Sequence, residues 1–143
     1  ARARRRLRDA ARAHGLQASP PYVMPTARIA PGARLGRGCQ VGHNVDVGAL
    51  ATVGDDVLLM HNAVIGHDAT LGDNTVVLPG AWVGGYVNVG RDCFLGANSV
   101  TGPHLSIGDG SVLAPGAACL KDLEPGRLLI GNPGRSSKLA PGP

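Results

Sequence analysis

The adjacent residues His67 and Asp68 combine an imidazole with a carboxylate. An imidazole gains and loses a proton near neutral pH, and it is therefore well suited to act as a general base. A neighbouring carboxylate can orient the ring and stabilise the imidazolium that forms. The pair is compatible with a catalytic site in which His67 removes a proton from a nucleophile and Asp68 assists it, and equally with a solvated histidine at a corner of the fold.

A six-residue repeat, which must position this pair, runs from Ile29 to Cys119. Every sixth residue in this stretch is Ile, Leu or Val in fourteen of sixteen cases, and the residue after it is Gly in eleven. The fifth position is small or aliphatic throughout. Short strands with inward first and fifth positions, separated by turn residues, predict a parallel β-helix. Aromatic residues make up only 3% of the chain, because large rings do not fit a narrow prism.

The hexad pattern resembles that of the left-handed β-helix proteins, in which three hexads form one triangular coil. The resemblance implies an all-β fold, with a left-handed parallel β-helix of about five coils over residues 29–124. We expect residues 1–28 to form an N-terminal helix and a linker, with Gly15 ending the helix. Residues 125–143 are expected to form a capping C-terminal tail.

A coil of three hexads places His67 in one column with Ala49, Gly85 and Pro103. This column is predicted to be a groove that contains a single polar group. An extended ligand could follow the groove past Gly85 and present its reactive end to His67. Because Gly85 has no side chain, a ligand could approach the backbone there.

Two further histidines, His43 and His61, are also three hexads apart and would stack on a different corner from His67. Stacked histidines can bind a metal ion. Two solvated residues at a corner of the fold, facing water or a neighbouring subunit, would show the same spacing. We favour this second interpretation and expect no metal site, and we assign no role to His14 or His104.

Residues 64–85 resemble the acceptor and acyl-CoA segment of the NeuD-type sugar acyltransferases, which are hexapeptide-repeat enzymes. The shared motifs are a His-Asp pair, a Gly-Asp hexad, a Pro-Gly-Ala sequence and a Gly-Gly pair, here His67-Asp68, Gly72-Asp73, Pro79-Gly80-Ala81 and Gly84-Gly85. Residues 131–135, with the sequence GNPGR, are similar to the Gly-Asn-Pro-Ala-Arg ending of many hexapeptide acyltransferases.

This resemblance implies a coenzyme A-dependent acyltransferase that moves an acetyl group from acetyl-CoA to an amino or hydroxyl group of a sugar nucleotide or sugar acid. It implies His67 as the general base, assisted by Asp68. It also implies a homotrimer with active sites between subunits. The residues expected to bind acetyl-CoA are Gly85, Pro103, Asn132 and Arg135.

Charge and composition argue against other partners. The net charge is +4, but nine of the fourteen basic residues lie within residues 1–37, and the remainder carries five basic and nine acidic residues. No basic stripe for nucleic acid is therefore expected on the body of the fold. No apolar run approaches the roughly 18 residues of a membrane span. Three cysteines and no signal-peptide pattern favour unpaired thiols and a cytoplasmic location.

Two alternatives remain open from the sequence alone. A zinc-dependent hydratase like the gamma-class carbonic anhydrases would share the fold, although His61 and His67 are separated by five residues where that class has four. A non-catalytic trimer would use the β-helix only as a scaffold. Stoichiometric zinc in the purified protein would favour the first alternative, and the lack of any response to acetyl-CoA would favour the second.

Overall fold

The structure, a computed structural model, describes residues 2–15 and 19–139 of the 143-residue chain. The described residues form one helix, α1 (Arg2–Ala13), and nineteen short strands. The strands are β1 (Tyr22–Val23), β2 (Arg28–Ile29), β3 (Arg34–Leu35), β4 (Gln40–Val41), β5 (Asp46–Val47), β6 (Thr52–Val53), β7 (Leu58–Leu59), β8 (Val64–Ile65), β9 (Thr70–Leu71), β10 (Val76–Val77), β11 (Trp82–Val83), β12 (Asn88–Val89), β13 (Phe94–Leu95), β14 (Val100–Thr101), β15 (Ser106–Ile107), β16 (Val112–Leu113), β17 (Ala118–Cys119), β18 (Arg127–Ile130) and β19 (Arg135–Lys138).

Each strand from β1 to β14 pairs in parallel with the strand three positions later in the chain, which lies one turn above it. The result is a three-sided coil. The eight-stranded sheet has the order β1-β4-β7-β10-β13-β16-β18-β19, the six-stranded sheet β17-β14-β11-β8-β5-β2, and the five-stranded sheet β15-β12-β9-β6-β3. Paired residues such as Gln40 and Leu58, or Asp46 and Val64, are three hexads apart. The predicted coil of three hexads and its parallel strands are confirmed.

The stack makes about six turns, one more than the hexads from Ile29 predict. The additional turn begins at Tyr22–Val23, which pairs with β4. After β17 the register shortens, because Leu113 pairs with Leu129, and β19 then returns antiparallel to β18. The stacked strands therefore continue on both sides of the predicted 29–124 segment. Residues 1 and 16–18 of the predicted helix and linker, and residues 140–143 of the predicted tail, lie outside the described residues.

A residue in the left-handed backbone conformation makes nearly every corner of the coil. From Gly32 to Gly116, the fourth residue of each hexad has a positive φ, and twelve of these fifteen residues are Gly, Asn or Asp. Gly has no Cβ to clash in this conformation, and Asn and Asp tolerate it better than bulky residues do. The exceptions are Leu50, Tyr86 and His104.

The first and fifth residues of the hexads fill the prism, as predicted. Val47, Leu59, Val83 and most of their equivalents in the other turns are almost fully buried, whereas Ile29 at the lower end is 36% exposed. The three cysteines occupy this interior, are unpaired, and donate their S–H groups to backbone carbonyls. The interior thus consists of stacked rings of aliphatic and small side chains, which hold the corners at a fixed spacing.

Helix α1 ends as the sequence predicts and contacts one corner of the coil. Gly15 has a φ of 77°, and its N–H donates to the carbonyl of Arg12 at 2.9 Å. Arg5 pairs with Asp92 at 2.6 Å, and Arg12 with Asp56 at 3.1 Å. The arginine-rich helix therefore binds carboxylates of the chain itself. Within residues 2–15 and 19–139, no helix has the length and apolar character that a membrane span requires.

The burial of the cysteines predicts that they react slowly in the folded protein. Burial raises the pKa of the Cys93 thiol to about 11, and it also raises the pKa values of Cys39 and Cys119. Since the thiolate is the reactive form, Ellman's reagent near neutral pH should label the native chain slowly and the guanidinium-unfolded chain at all three thiols. Equally rapid labelling of both forms would contradict the buried placement.

Candidate functional site

The corner between the six-stranded and five-stranded sheets carries the predicted catalytic pair, and we call it the His67 corner. Backbone hydrogen bonds connect its turns vertically: Asp68 N–H donates to Ala49 O at 2.9 Å, Tyr86 N–H to His67 O at 3.0 Å, and His104 N–H to Gly85 O at 3.0 Å. The structure therefore brings His67, Gly85 and Pro103 to one corner, as the three-hexad period predicts. The corner consists of residues 49–50, 67–68, 85–86 and 103–104.

His67 and Asp68 contact one another directly. Nδ1 of His67 lies 2.9 Å from Oδ2 of Asp68, and the two side chains are 60% and 30% exposed. Asp68 is in the left-handed conformation, with a φ of 57°. A carboxylate in this place accepts the Nδ1–H, so the lone pair of Nε2 is left available to take a proton.

The second imidazole nitrogen lies against Gly85. A Cβ atom built on Gly85 would be 2.9 Å from Nε2 of His67, closer than real Cβ contacts allow. Any side chain at this position would therefore push the ring away. The absence of a side chain leaves the backbone of Gly85 open immediately beside the nitrogen that can act as a base.

Within the described residues, the Gly85 N–H is also unpaired, unlike the N–H groups of Arg37 and Asp55 at the corner that contains residues 55–56 and 73–74. There, Asp55 accepts a hydrogen bond from Arg37 N–H, and Asp73 accepts one from Asp55 N–H, both at 2.9 Å. The equivalent residue above Gly85 is Pro103, which has no side-chain acceptor. In the described part of the chain, the Gly85 N–H donates no hydrogen bond. It can donate to an anionic oxygen next to Nε2.

Two further rings, those of Tyr86 and His104, form a stack that begins at His67. The Tyr86 ring meets the His67 ring edge to face, with centroids 5.1 Å apart and planes at 88°. The His104 ring stacks on Tyr86 at 4.7 Å, with planes 6° apart. A signal was present in the sequence, because both residues occupy the fourth hexad position, where Gly, Asn and Asp are usual.

The other residues predicted to bind acetyl-CoA lie at the upper end of the coil. Gly131 and Gly134 bond to the backbone of Ala118, which belongs to the last strand of the six-stranded sheet. Ala118 lies three turns above β8, so Asn132 and Arg135 are about four turns above the level of His67, or about 19 Å at the spacing of neighbouring strands. Both are exposed. The structure does not bring them to His67, but they lie above the sheet that borders its corner.

His43 and His61 occupy the corner between the eight-stranded and six-stranded sheets. Their rings stack at 5.8 Å with planes 22° apart, and Nδ1 of His43 is 2.9 Å from the Thr26 hydroxyl. They do not join the His67 corner. Within the described residues, no group of three or more His, Cys, Asp or Glu side chains could hold a metal ion.

The repeats match known families. Residues 50–85 match the family described as bacterial transferase hexapeptide (six repeats), and residues 86–118 match the hexapeptide repeat of succinyl-transferase. Residues 50–118 therefore consist of repeats that match those of hexapeptide transferases. None of the curated proteins that were compared with the chain by sequence matches it.

Solved structures extend this match to nearly the whole chain. PerB from Caulobacter crescentus, in complex with CoA and GDP-perosamine, is 32% identical, with a TM-score of 0.91 over 95% of this chain and 65% of PerB. The acetyltransferase domain of PglB from Neisseria gonorrhoeae FA1090 is 28% identical, with a TM-score of 0.90 over 94% of this chain and 65% of that domain. WeeI from Acinetobacter baumannii AYE has the same fold at 21% identity, with a TM-score of 0.90, over 94% of this chain and 66% of WeeI.

These matches confirm the resemblance to hexapeptide-repeat sugar acyltransferases that the motifs indicated. The chain spans about 65% of the length of PerB and of the PglB domain. The His67 corner lies within the family matches, since residues 50–85 include His67 and Gly85, and residues 86–118 include Tyr86 and His104.

Replacing Gly85 tests the geometry beside Nε2. In Gly85→Ala, the new methyl group should displace the His67 ring and weaken its hydrogen bond to Asp68. Nitrogen-15 NMR of the imidazole, which separates the Nδ1–H and Nε2–H tautomers, should show a mixture where the parent protein shows mainly Nδ1–H. Gly102→Ala is the matched control, because a Cβ there meets nothing closer than 3.6 Å. An unchanged imidazole spectrum in Gly85→Ala would contradict the described contact.

Proposed function

We propose that the chain is an acetyl-CoA-dependent acyltransferase that acetylates an amino or hydroxyl group of a sugar nucleotide or sugar acid. The observation that carries this proposal is the His67 imidazole, held by Asp68 through Nδ1 and facing an open glycine through Nε2. PerB with CoA and GDP-perosamine, and the PglB acetyltransferase domain with acetyl-CoA, support the choice of donor and acceptor class.

His67 acts as the general base. The acceptor nitrogen or oxygen attacks the thioester carbonyl carbon and forms a new bond to it, while Nε2 of His67 takes the proton that the acceptor loses. Asp68 accepts the hydrogen bond of Nδ1–H and stabilises the imidazolium. The tetrahedral intermediate then collapses, the carbon–sulfur bond breaks, and the CoA sulfur leaves with the proton that His67 returns.

Gly85 supplies the site for the negative charge. The thioester oxygen becomes an oxyanion during the attack, and a preorganised backbone N–H stabilises such a charge. The Gly85 N–H is unpaired in the described residues and lies in the turn against which Nε2 packs. The pantetheine arm of acetyl-CoA is proposed to run upward past Gly85 and Pro103, with Asn132 and Arg135 contacting the distal part of the coenzyme.

The active unit is proposed to be a homotrimer of left-handed coils located in the cytoplasm. On the six-stranded sheet beside the His67 corner, Trp82 is 54% exposed and Val100 is 39% exposed. A neighbouring subunit packed on this apolar sheet would bury both side chains and close the groove to water, which protects a thioester from hydrolysis.

Analytical ultracentrifugation should give about three times the 14.5 kDa chain mass. A monomer at all concentrations would refute the shared site.

Removing the base should slow acetyl transfer strongly without unfolding the coil. In His67→Asn, release of CoA from acetyl-CoA in the presence of nucleotide-linked amino sugars should fall by about 10²–10⁴-fold, the usual contribution of a general base. Asp68→Asn should lose less, because the imidazole remains. His61→Asn, at the same hexad position on another corner, is the matched control and should retain activity.

The same variants separate the remaining alternatives. Full activity in His67→Asn would refute the proposed base. Loss of activity in His61→Asn together with stoichiometric zinc would favour the hydratase. An unchanged thermal midpoint of the parent protein in saturating acetyl-CoA, with no transfer to any amino sugar, would favour a scaffold without catalysis.

A further inference from the structure

Unfavourable backbone conformations concentrate on the His67 corner. Ten residues other than glycine have a positive φ in the described part of the chain, and seven of them are Asn or Asp. The other three are Leu50, Tyr86 and His104, all at the fourth hexad position of this one corner. A bulky residue in the left-handed region lowers the stability of the fold, and such residues cluster at functional sites.

Tyr86 is only half-buried. Its φ is 59°, and its side chain is 51% exposed, so about half of its surface remains in water. Within the described residues its hydroxyl makes no hydrogen bond. An Asn or Gly at this position would make the same turn with less strain. Tyr86 thus keeps an unfavourable backbone conformation while half of its side chain remains exposed.

The distinctive contribution of Tyr86 is its contact with His67. The Tyr86 N–H bonds to the His67 carbonyl one turn below, and the ring meets the imidazole edge to face at 5.1 Å. His104 stacks on Tyr86 at 4.7 Å and restricts the movement of its ring. Since Nδ1 of His67 bonds Asp68 and Nε2 faces Gly85, the Tyr86 ring is a third contact on the imidazole.

We propose that Tyr86 is a positioning residue for His67 and that His104 supports it from the turn above. The inference rests on the proposed role of His67 as a base. An imidazole that is 60% exposed can rotate away from Asp68 unless another group restrains it. The Tyr86 ring supplies this restraint, so Nδ1–H stays on the carboxylate and Nε2 stays beside Gly85.

The test compares Tyr86→Asn, which suits the left-handed turn but removes the ring, with Tyr86→Phe, which keeps the ring. In Tyr86→Asn, nitrogen-15 NMR should show that His67 changes from mainly Nδ1–H to a mixture of tautomers. The thermal midpoint should stay the same or rise, because backbone strain is relieved. In Tyr86→Phe the Nδ1–H form should remain dominant, because the ring and not the hydroxyl makes the contact.

Leu50→Asn is the matched control for backbone strain. It relieves the same conformation on the same corner, at a side chain that is 62% exposed and has no ring contact with His67. Its thermal midpoint should rise by about 2–4 °C, as expected for modest stabilisation of a domain of this size. The tautomers of His67 should be unchanged. A tautomer shift in Leu50→Asn equal to that in Tyr86→Asn would overturn a specific role for the Tyr86 ring.

Kinetics provide a second measurement. In Tyr86→Asn, kcat for acetyl transfer should fall about tenfold with KM within about twofold, because a misaligned base slows the reaction more than binding. Tyr86→Phe should restore most of kcat. A thermal midpoint that falls steeply in Tyr86→Asn, or a wild-type kcat and tautomer ratio, would overturn the proposal. The NMR and thermal measurements need no substrate, so they give a result even where the proposed acyl transfer fails.

Discussion

The turn made by one left-handed residue in every six is the constraint on which the molecule depends. Each such turn directs the chain from one sheet to the next, and three of them return it to its starting face. The N–H of the turn residue then bonds the carbonyl of the corner one circuit below, as Asn74 does with Asp55 and Tyr86 does with His67. Strand pairing, side-chain stacking and the spacing of the corners all follow from this closure.

Because the backbone is nearly the same at every corner, the corners differ mainly in their side chains. At residues 55–56 and 73–74, aspartates bond the N–H groups of the turn below, and arginines of α1 neutralise part of their charge. At the His67 corner, glycine and proline stand where those aspartates would be, so a backbone donor and an imidazole are left available to a ligand. Corners with the same backbone can therefore either stabilise the coil through side-chain hydrogen bonds or leave polar groups available to a ligand.

The sequence predicts much of this arrangement, because a strict period converts position in the chain into position in space. Counting in steps of three hexads is enough to place His67, Gly85 and Pro103 on one corner and to keep His43 and His61 on another. The first turn was missed although Val23 is in register with Ile29, since Pro20, Pro21 and Pro25 obscure the pattern around it. The predicted groove contains only third-position residues, so it omits Tyr86 and His104, which occupy the fourth position. Their ring contacts depend on a φ value that spacing does not provide.

The two ends of the coil are built differently, which bears on association between copies of the chain. At the upper end, the antiparallel strand β19 covers the eight-stranded sheet. At the lower end of the described coil, β2 and β3 present backbone groups on one edge, and each carries an exposed arginine, Arg28 or Arg34. Charges on a terminal strand oppose pairing with a strand of another molecule. The two ends therefore do not match, and the lower one is charged. Both features oppose the joining of coils end to end into a continuous fibre.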